Sequence, residues 1–227
     1  MSDNFGCVIH TRIARPDKAL VERFRNIPVA NIDDCMGRIG AVSAEIRPMN
    51  KAPLLGTAFT VKVPAGDNLM FHKAMDIAEP GDVVVIDAGG YLDRAIFGEL
   101  MSNWCRARGI AGVVVDGAIR DCGAISEMTD FSVFARGVSP NGPYKNGPGT
   151  INEPISFGGR MVNPGDIIVG DEDGIVVIRP ENAADLADAA EKIEAKERKI
   201  TETMEKEKSY DRPWVDEKLK EIGCVID

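Results

Sequence analysis

Short apolar runs alternate with amphipathic stretches along most of this chain. Leu55 to Val63, Asp82 to Asp87 with its Val-Val-Val-Ile centre, Val113 to Asp116, and Phe131 to Arg136 are rich in β-branched and aromatic residues and predict strands. Helical spacing fills the intervals. Leu69 to Ala78 has Asn68 as a candidate cap and Pro80-Gly81 as a stop; Glu99 to Arg108 follows Gly98; a short helix is expected at Ala124 to Met128. Two more short helices are expected at 17–25 and 31–39. Strands alternating with helices predict an α/β core. After Arg136 the pattern breaks. Residues 139–149 form a Ser/Pro/Asn/Gly loop, long enough to carry function or an intersubunit contact. Ile167–Val169 and Ile175–Ile178 then flank Asp171-Glu172-Asp173-Gly174 and predict a hairpin. The acidic turn lacks the spacing of a calcium loop.

From Glu181 to about Lys208 the pattern is one long charged helix with an apolar stripe of Leu186, Ala190, Ile193, Ile200 and Met204. Position 197 lies on that stripe and holds glutamate. A carboxylate on an apolar seam is a candidate for function, although a helix end sliding into solvent explains it equally well. So long a helix beside a compact core is expected to pack on a neighbouring subunit. The chain therefore reads as a core of 1–180 and a helical extension of 181–227.

The chain is long enough, and at 44% hydrophobic apolar enough, to bury a real core. A net charge of -9 argues against a nucleic-acid surface, and no apolar run approaches a membrane span. Five cysteines without a CxxC pair predict reduced thiols in a cytoplasmic protein and no structural zinc. The mixed-charge N-terminus does not read as a signal peptide. With only His10 and His72 present, any bound metal should be held by carboxylate and water, which favours Mg²⁺ or Mn²⁺.

The candidate chemistry lies between Gly98 and Asp121. The first amides of the helix at Gly98, Glu99, Leu100 and Met101 have no internal partner and can bind an anion. Beyond the Val113–Val115 strand come Asp116, a turn at Gly117, and Arg120-Asp121. One carboxylate for a metal, one guanidinium and one set of amides would suit a small keto acid. An ordinary surface Arg–Asp pair beside a capped helix would use the same residues. Other chemistries have less support. Asp87-Ala-Gly-Gly lacks GxGxxG, so a dinucleotide-binding or methyltransferase loop is not indicated. No GxSxG appears, and neither Lys62 nor Lys145 has the apolar surroundings of a Schiff-base lysine.

Glu99 followed, after twenty residues, by Arg120-Asp121 resembles the (D/E)-x20-R-D signature of the RraA-like superfamily. The likeness extends through Asp67-Asn-Leu-Met-Phe-His-Lys-Ala, Pro80-Gly-Asp-Val-Val-Val-Ile-Asp, Ala135-Arg-Gly-Val, Gly142-Pro-Tyr-Lys and Val162-Asn-Pro-Gly-Asp-Ile-Ile-Val-Gly-Asp. The chain is most similar to the 4-hydroxy-4-methyl-2-oxoglutarate / 4-carboxy-4-hydroxy-2-oxoadipate aldolase branch, whose members also continue into a long charged helix. The resemblance implies a β/β/α swivelling sandwich assembled as a homotrimer or homohexamer, with a class II aldolase site between subunits. By position, Asp121 would bind the divalent metal and Glu99, where many members have aspartate, would hold metal-bound water. Arg120 would bond the keto or enolate oxygen of pyruvate, and the amides of Gly98 to Met101 would take its carboxylate. A glutamate from a neighbouring C-terminal helix, Glu197 or else Glu194, would complete the site. Decarboxylation of oxaloacetate would be a side activity. The other reading is a non-catalytic RraA-type regulator that binds an RNase E-like protein.

Overall fold

The computed structural model describes residues 6–226. Contacts divide the chain into two units, one ending at Ala190 and one starting at Glu191. The strands are β1 (Cys7–Ile9), β2 (Arg47–Pro48), β3 (Leu54–Lys62), β4 (Asp82–Asp87), β5 (Ala95–Phe97), β6 (Gly112–Ile119), β7 (Ser132–Val138), β8 (Gly149–Ile151), β9 (Ile155–Phe157), β10 (Arg160–Val162), β11 (Ile167–Gly170) and β12 (Ile175–Ile178). The helices are α1 (Lys18–Glu22), α2 (Val29–Cys35), α3 (Leu69–Ile77), α4 (Glu99–Ala107), α5 (Cys122–Ser126), α6 (Ala183–Glu207) and α7 (Pro213–Glu221).

The centre is a parallel array in the order β3-β4-β6-β7. β4 and β6 have neighbours on both sides and are buried at every position, which is why their apolar runs are continuous. Alternate side chains leave opposite faces. Phe59, Val84, Ile86, Val113 and Val115 pack with Phe71 and Met75 of α3 and Cys105 of α4. Burial pushes the Cys105 thiol up to about 12. Ala58, Val83, Val85, Val114 and Phe134 face the other way, onto Phe157, Ile168 and Ile175. The far faces of β11 and β12 carry Ile167, Val169, Val176 and Ile178, which meet Phe24, Ile32, Ala183, Ala187 and Ala190. β11 also pairs antiparallel with β3, so the second β layer continues the first. The α/β expectation is met as a β/β/α sandwich whose outer β layer carries helices as well.

Several expectations are revised. The strand expected at 113–116 runs on to Ile119, so Asp116-Gly117 is not a turn. Gly117 is needed for close approach, because a Cβ there would lie 2.9 Å from the Cβ of Ala88. The long helix is preceded by a 3₁₀ turn at Pro180–Asn182. Its buried face is Ala183, Ala187 and Ala190, with Leu186 only partly covered. These alanines hold the first turns of α6 to the core, and the contact division falls after them, between Ala190 and Glu191. Strands β8, β9 and β10 and helix α7 carry no period strong enough to have been expected. Among the described residues, no helix is long and apolar enough to cross a membrane.

Asp116 joins the two β layers. Its Oδ1 accepts a 2.5 Å bond from Arg136 Nε on β7, and its Oδ2 accepts one of 3.0 Å from Gly158 N at the β9–β10 turn. Arg136 is further paired with Glu45. Asp116→Ala is expected to destabilise the fold by about 2–4 kcal/mol, because it leaves a largely buried guanidinium with one partner and an amide with none. A urea unfolding curve measures this, and Asp116→Asn should recover part of the loss.

Candidate active site

β5 pairs with β6 beyond the point where β4 ends: Asp87 is the last partner on β4, opposite Asp116, and Ala95 then stands opposite Ala118. A bond from Arg120 N to Phe97 O (2.9 Å) holds the end of β6 against the start of α4. Gly98, Glu99, Arg120 and Asp121 therefore converge. Gly98 is extended, a conformation open to any residue, but a Cβ there would fall 2.5 Å from Asp121 Oδ2 and 3.0 Å from Arg120 Cγ. A side chain at 98 would displace the Asp121 carboxylate.

Asp121 has a left-handed backbone (φ 58°, ψ 35°), which Asp tolerates better than most residues. It precedes α5, yet its side chain makes no capping bond to that helix. Oδ2 accepts instead from Glu99 N at 3.1 Å, with Arg120 Nε 3.6 Å away. Among the described residues no donor reaches Oδ1. Arg120 and Asp121 are close to half exposed, at 46% and 42%. Leu100 and Met101 follow in the first turn of α4, ahead of the first backbone bond of the helix, from Ser102 N to Gly98 O. Their amides carry the partial positive charge of the helix terminus.

These residues fit a hydrated divalent cation. Asp121 Oδ1 is the open carboxylate oxygen and Glu99 is the first residue of the adjoining helix; among the described residues no group of three or more His, Cys, Asp or Glu could hold a metal. A site of one carboxylate completed by water suits Mg²⁺ or Mn²⁺ and not zinc. The remaining expected residue, Glu197, belongs to the unit after Ala190. It is exposed on α6, and its carbonyl accepts from Thr201 Oγ1 at 3.0 Å. Glu194 is 3.6 Å from Arg198.

Two flanking pieces carried little signal. Asn68 does not cap α3; Asp67 does, through Oδ1 to Leu69 N (2.9 Å). Asp67 Oδ2 also takes the amides of Asn146 (2.6 Å) and Gly147 (3.1 Å), which fixes the 139–149 loop beside α3. Asn68 donates to Ile96 O (3.0 Å), and its Oδ1 is buried without a partner among the described residues. Gly142 in that loop lies over Arg120, with a Cβ position 3.5 Å from Nη1. The length and Gly/Pro content of the loop, and the Gly142-Pro-Tyr-Lys motif within it, were the signals of its importance.

The chain matches the family model described as RraA-like, Aldolase/RraA, over residues 29–177. It belongs to the RraA-like family. A Halalkalibacterium halodurans protein provisionally named 4-hydroxy-4-methyl-2-oxoglutarate aldolase is 42% identical over 84% of this chain and 92% of its own. An uncharacterized Pseudomonas syringae protein shares the RraA-like fold at a TM-score of 0.74 and 24% identity, covering 86% of this chain and 96% of that one. The RNA-processing inhibitor RraA of Thermus matches at a TM-score of 0.61 and 27% identity, over 66% of this chain and 92% of the inhibitor.

His72 on α3 lies in a groove with Leu69, Leu100, Met101 and Trp104. Desolvation, and then the charge of Lys145, push its pKa below the ordinary 6.5. The folded state therefore binds fewer protons than the unfolded chain, and this contribution to stability is present above pH 6.5 and lost as the pH falls below it. An NMR titration of the imidazole C2–H should give a midpoint below 6.5, and Lys145→Met should move it upward.

Proposed function

We propose that this chain is a divalent-metal-dependent pyruvate aldolase, a carbon–carbon lyase that releases pyruvate from 4-hydroxy-2-oxo di- and tricarboxylic acids. Membership of the RraA-like family and likeness to a provisionally named aldolase support a lyase. The finer reading rests on one observation: the left-handed Asp121 turns its carboxylate onto the first amide of α4, beside Arg120.

A bound Mg²⁺ or Mn²⁺ would supply Lewis-acid stabilisation of enolate charge, with Asp121 Oδ1 as its protein ligand. The amides of Leu100 and Met101 bind the carboxylate at carbon 1. Arg120 donates to the oxygen on carbon 2, where negative charge grows as the bond between carbons 3 and 4 breaks. Such a donor stabilises the transition state more than the ground state. Glu99 holds water at the first turn of α4, and that water takes the proton of the carbon-4 hydroxyl. The electron pair of the broken bond enters the pyruvate enolate, which then takes a proton at carbon 3 back from that water. Oxaloacetate would pass through the same enolate with loss of carbon dioxide. In the active homotrimer or homohexamer, Glu197 or Glu194 of a neighbouring copy faces this site.

Pyruvate release from 4-hydroxy-4-methyl-2-oxoglutarate, followed with and without excess EDTA, tests the reading. Activity should disappear with chelator and return with Mg²⁺ or Mn²⁺, and Asp121→Asn should abolish it while the protein stays folded. Chelator-resistant cleavage would overturn the metal mechanism. No cleavage under any condition would leave the regulator reading, which the match to the Thermus inhibitor favours.

Arg120→Lys keeps the charge and loses the planar fork. It should lower kcat by roughly 10²-fold or more, for cleavage and for oxaloacetate decarboxylation alike. A loss confined to one reaction would move Arg120 to the variable half of the substrate.

A further inference from the structure

Arg120 is close to half exposed, and its Nε is 3.6 Å from Asp121 Oδ2, beyond an ordinary hydrogen bond. A long side chain so placed keeps much of its rotamer freedom unless something else restrains it. Two glycines lie against it. The Cβ position of Gly98 is 3.0 Å from Arg120 Cγ and 3.4 Å from Nε, and that of Gly142 is 3.5 Å from Nη1. Bare backbone therefore meets the stem at one residue and the end of the fork at another. The direction of the guanidinium depends on how these two pieces of backbone are held relative to each other.

Arg94 joins them. Its Nη1 donates to Gly142 O at 3.0 Å, and among the described residues no other group bonds the N or O of Gly142. Its Nη2 donates to the Tyr144 hydroxyl at 2.9 Å, and its guanidinium carbon stands 4.2 Å from the centre of the Tyr144 ring. The stem is fixed as well. A Cβ on Gly66 would fall 2.9 Å from Arg94 Cδ, and Gly66 O accepts from Tyr144 N at 2.8 Å, so Arg94 lies along the Gly66 backbone and against the Tyr144 ring.

The residues on either side of Arg94 hold the same loop. Asp93 O accepts from Ser139 Oγ (3.1 Å) and Asn141 Nδ2 (3.0 Å), and Ala95 N donates to Asn141 O (2.9 Å). Ala95 opens β5, and β5 ends at Phe97, next to Gly98. Segment 93–98 thus carries the tie to Gly142 at one end and the glycine under the Arg120 stem at the other.

We propose that Arg94 is a positioning residue for Arg120. By tying Gly142 to the start of β5 it sets where Gly142 stands relative to Gly98, and so fixes the direction of the Arg120 guanidinium. The assignment rests on the aldolase reading for its consequence, a donor aligned with the oxygen on carbon 2, while the restraint on Arg120 can be measured without turnover.

The first measurement is the nitrogen-15 relaxation of the Arg120 Nε–H group, identified by its loss in Arg120→Lys. In Arg94→Met its order parameter should fall well below the wild-type value, toward the flexible range under about 0.6. Tyr144→Phe keeps the ring and removes one bond, and should shift it the same way by less. The second is pyruvate release from 4-hydroxy-4-methyl-2-oxoglutarate with Mg²⁺. Arg94→Met should lower kcat about tenfold and leave KM within about twofold, because a misdirected donor weakens the transition state more than the bound substrate. Combined with Arg120→Lys, Arg94→Met should cost less than about twofold more, since its effect passes through the fork that lysine lacks.

An Arg120 signal as rigid in Arg94→Met as in the wild type would overturn the assignment. So would full multiplication of the two losses in the double variant, which is what a general weakening of the fold produces. If Arg94→Met does not fold, wild-type Arg120 relaxation in Tyr144→Phe overturns it. Failure of the aldolase reading looks different: the wild type releases no pyruvate, and the Arg120 signal still decides whether Arg94 restrains it.

Discussion

The carboxylate of Asp116 is the joint on which the site geometry depends. It lies on a strand buried at every position and is held from both sides, by Arg136 in its own layer and by the Gly158 amide in the other. The residues that follow leave the sheet in a direction set by that clamp. Gly117 lets the 88–91 loop lie against the strand, and the pairing partner changes from β4 to β5. Arg120 and Asp121 emerge at the start of α4 because β6 is anchored a few residues earlier. Similar pairs recur where a carboxylate must be buried. Arg15 reaches Asp82 at 2.9 and 2.8 Å, and Arg179 reaches Asp166 at 3.0 and 2.9 Å. At Asp82 two parallel bonds from Arg15 Nε and Nη2 fix orientation as well as charge, whereas Arg179 reaches both oxygens of Asp166 from Nη1 alone.

The legible parts of the fold share a physical character. β4 was readable to the residue because Val-Val-Val-Ile between Asp82 and Asp87 is buried on both faces and bounded by Pro80-Gly81. The β11–β12 hairpin was readable from alternation around an acidic turn. β8, β9 and β10 were not, since three-residue strands have no measurable period and are specified by partners far away in sequence, such as Ile151 opposite Val61. Gly117 misled for a related reason: glycine after aspartate is the commonest sign of a turn, whereas here the missing Cβ serves packing across the sheet.

The candidate site divides the same way. The convergence of the α4 amides with Arg120 and Asp121 followed from residue types near strand and helix ends. What composition cannot convey is orientation. Nothing local announces that Asp121 is left-handed, or that it ignores the helix it precedes and bonds to the one before. Nor does Asn68 declare that Asp67 does the capping and leaves Asn68 to reach Ile96. Glu197 remains a reading from the apolar stripe, and the stripe itself proved to be led by small alanines.

The compactness of the site along the chain has a consequence for folding. Gly98, the first turn of α4, Arg120 and Asp121 all lie in one uninterrupted β5–α4–β6–α5 stretch. Bringing them together closes only a short loop, so the entropic cost of forming the geometry is small. Only the clamp at Gly158 is topologically remote. Gly98, the first turn of α4, Arg120 and Asp121 can therefore be carried as one supersecondary unit, which the Asp116–Gly158 bond ties to the second layer.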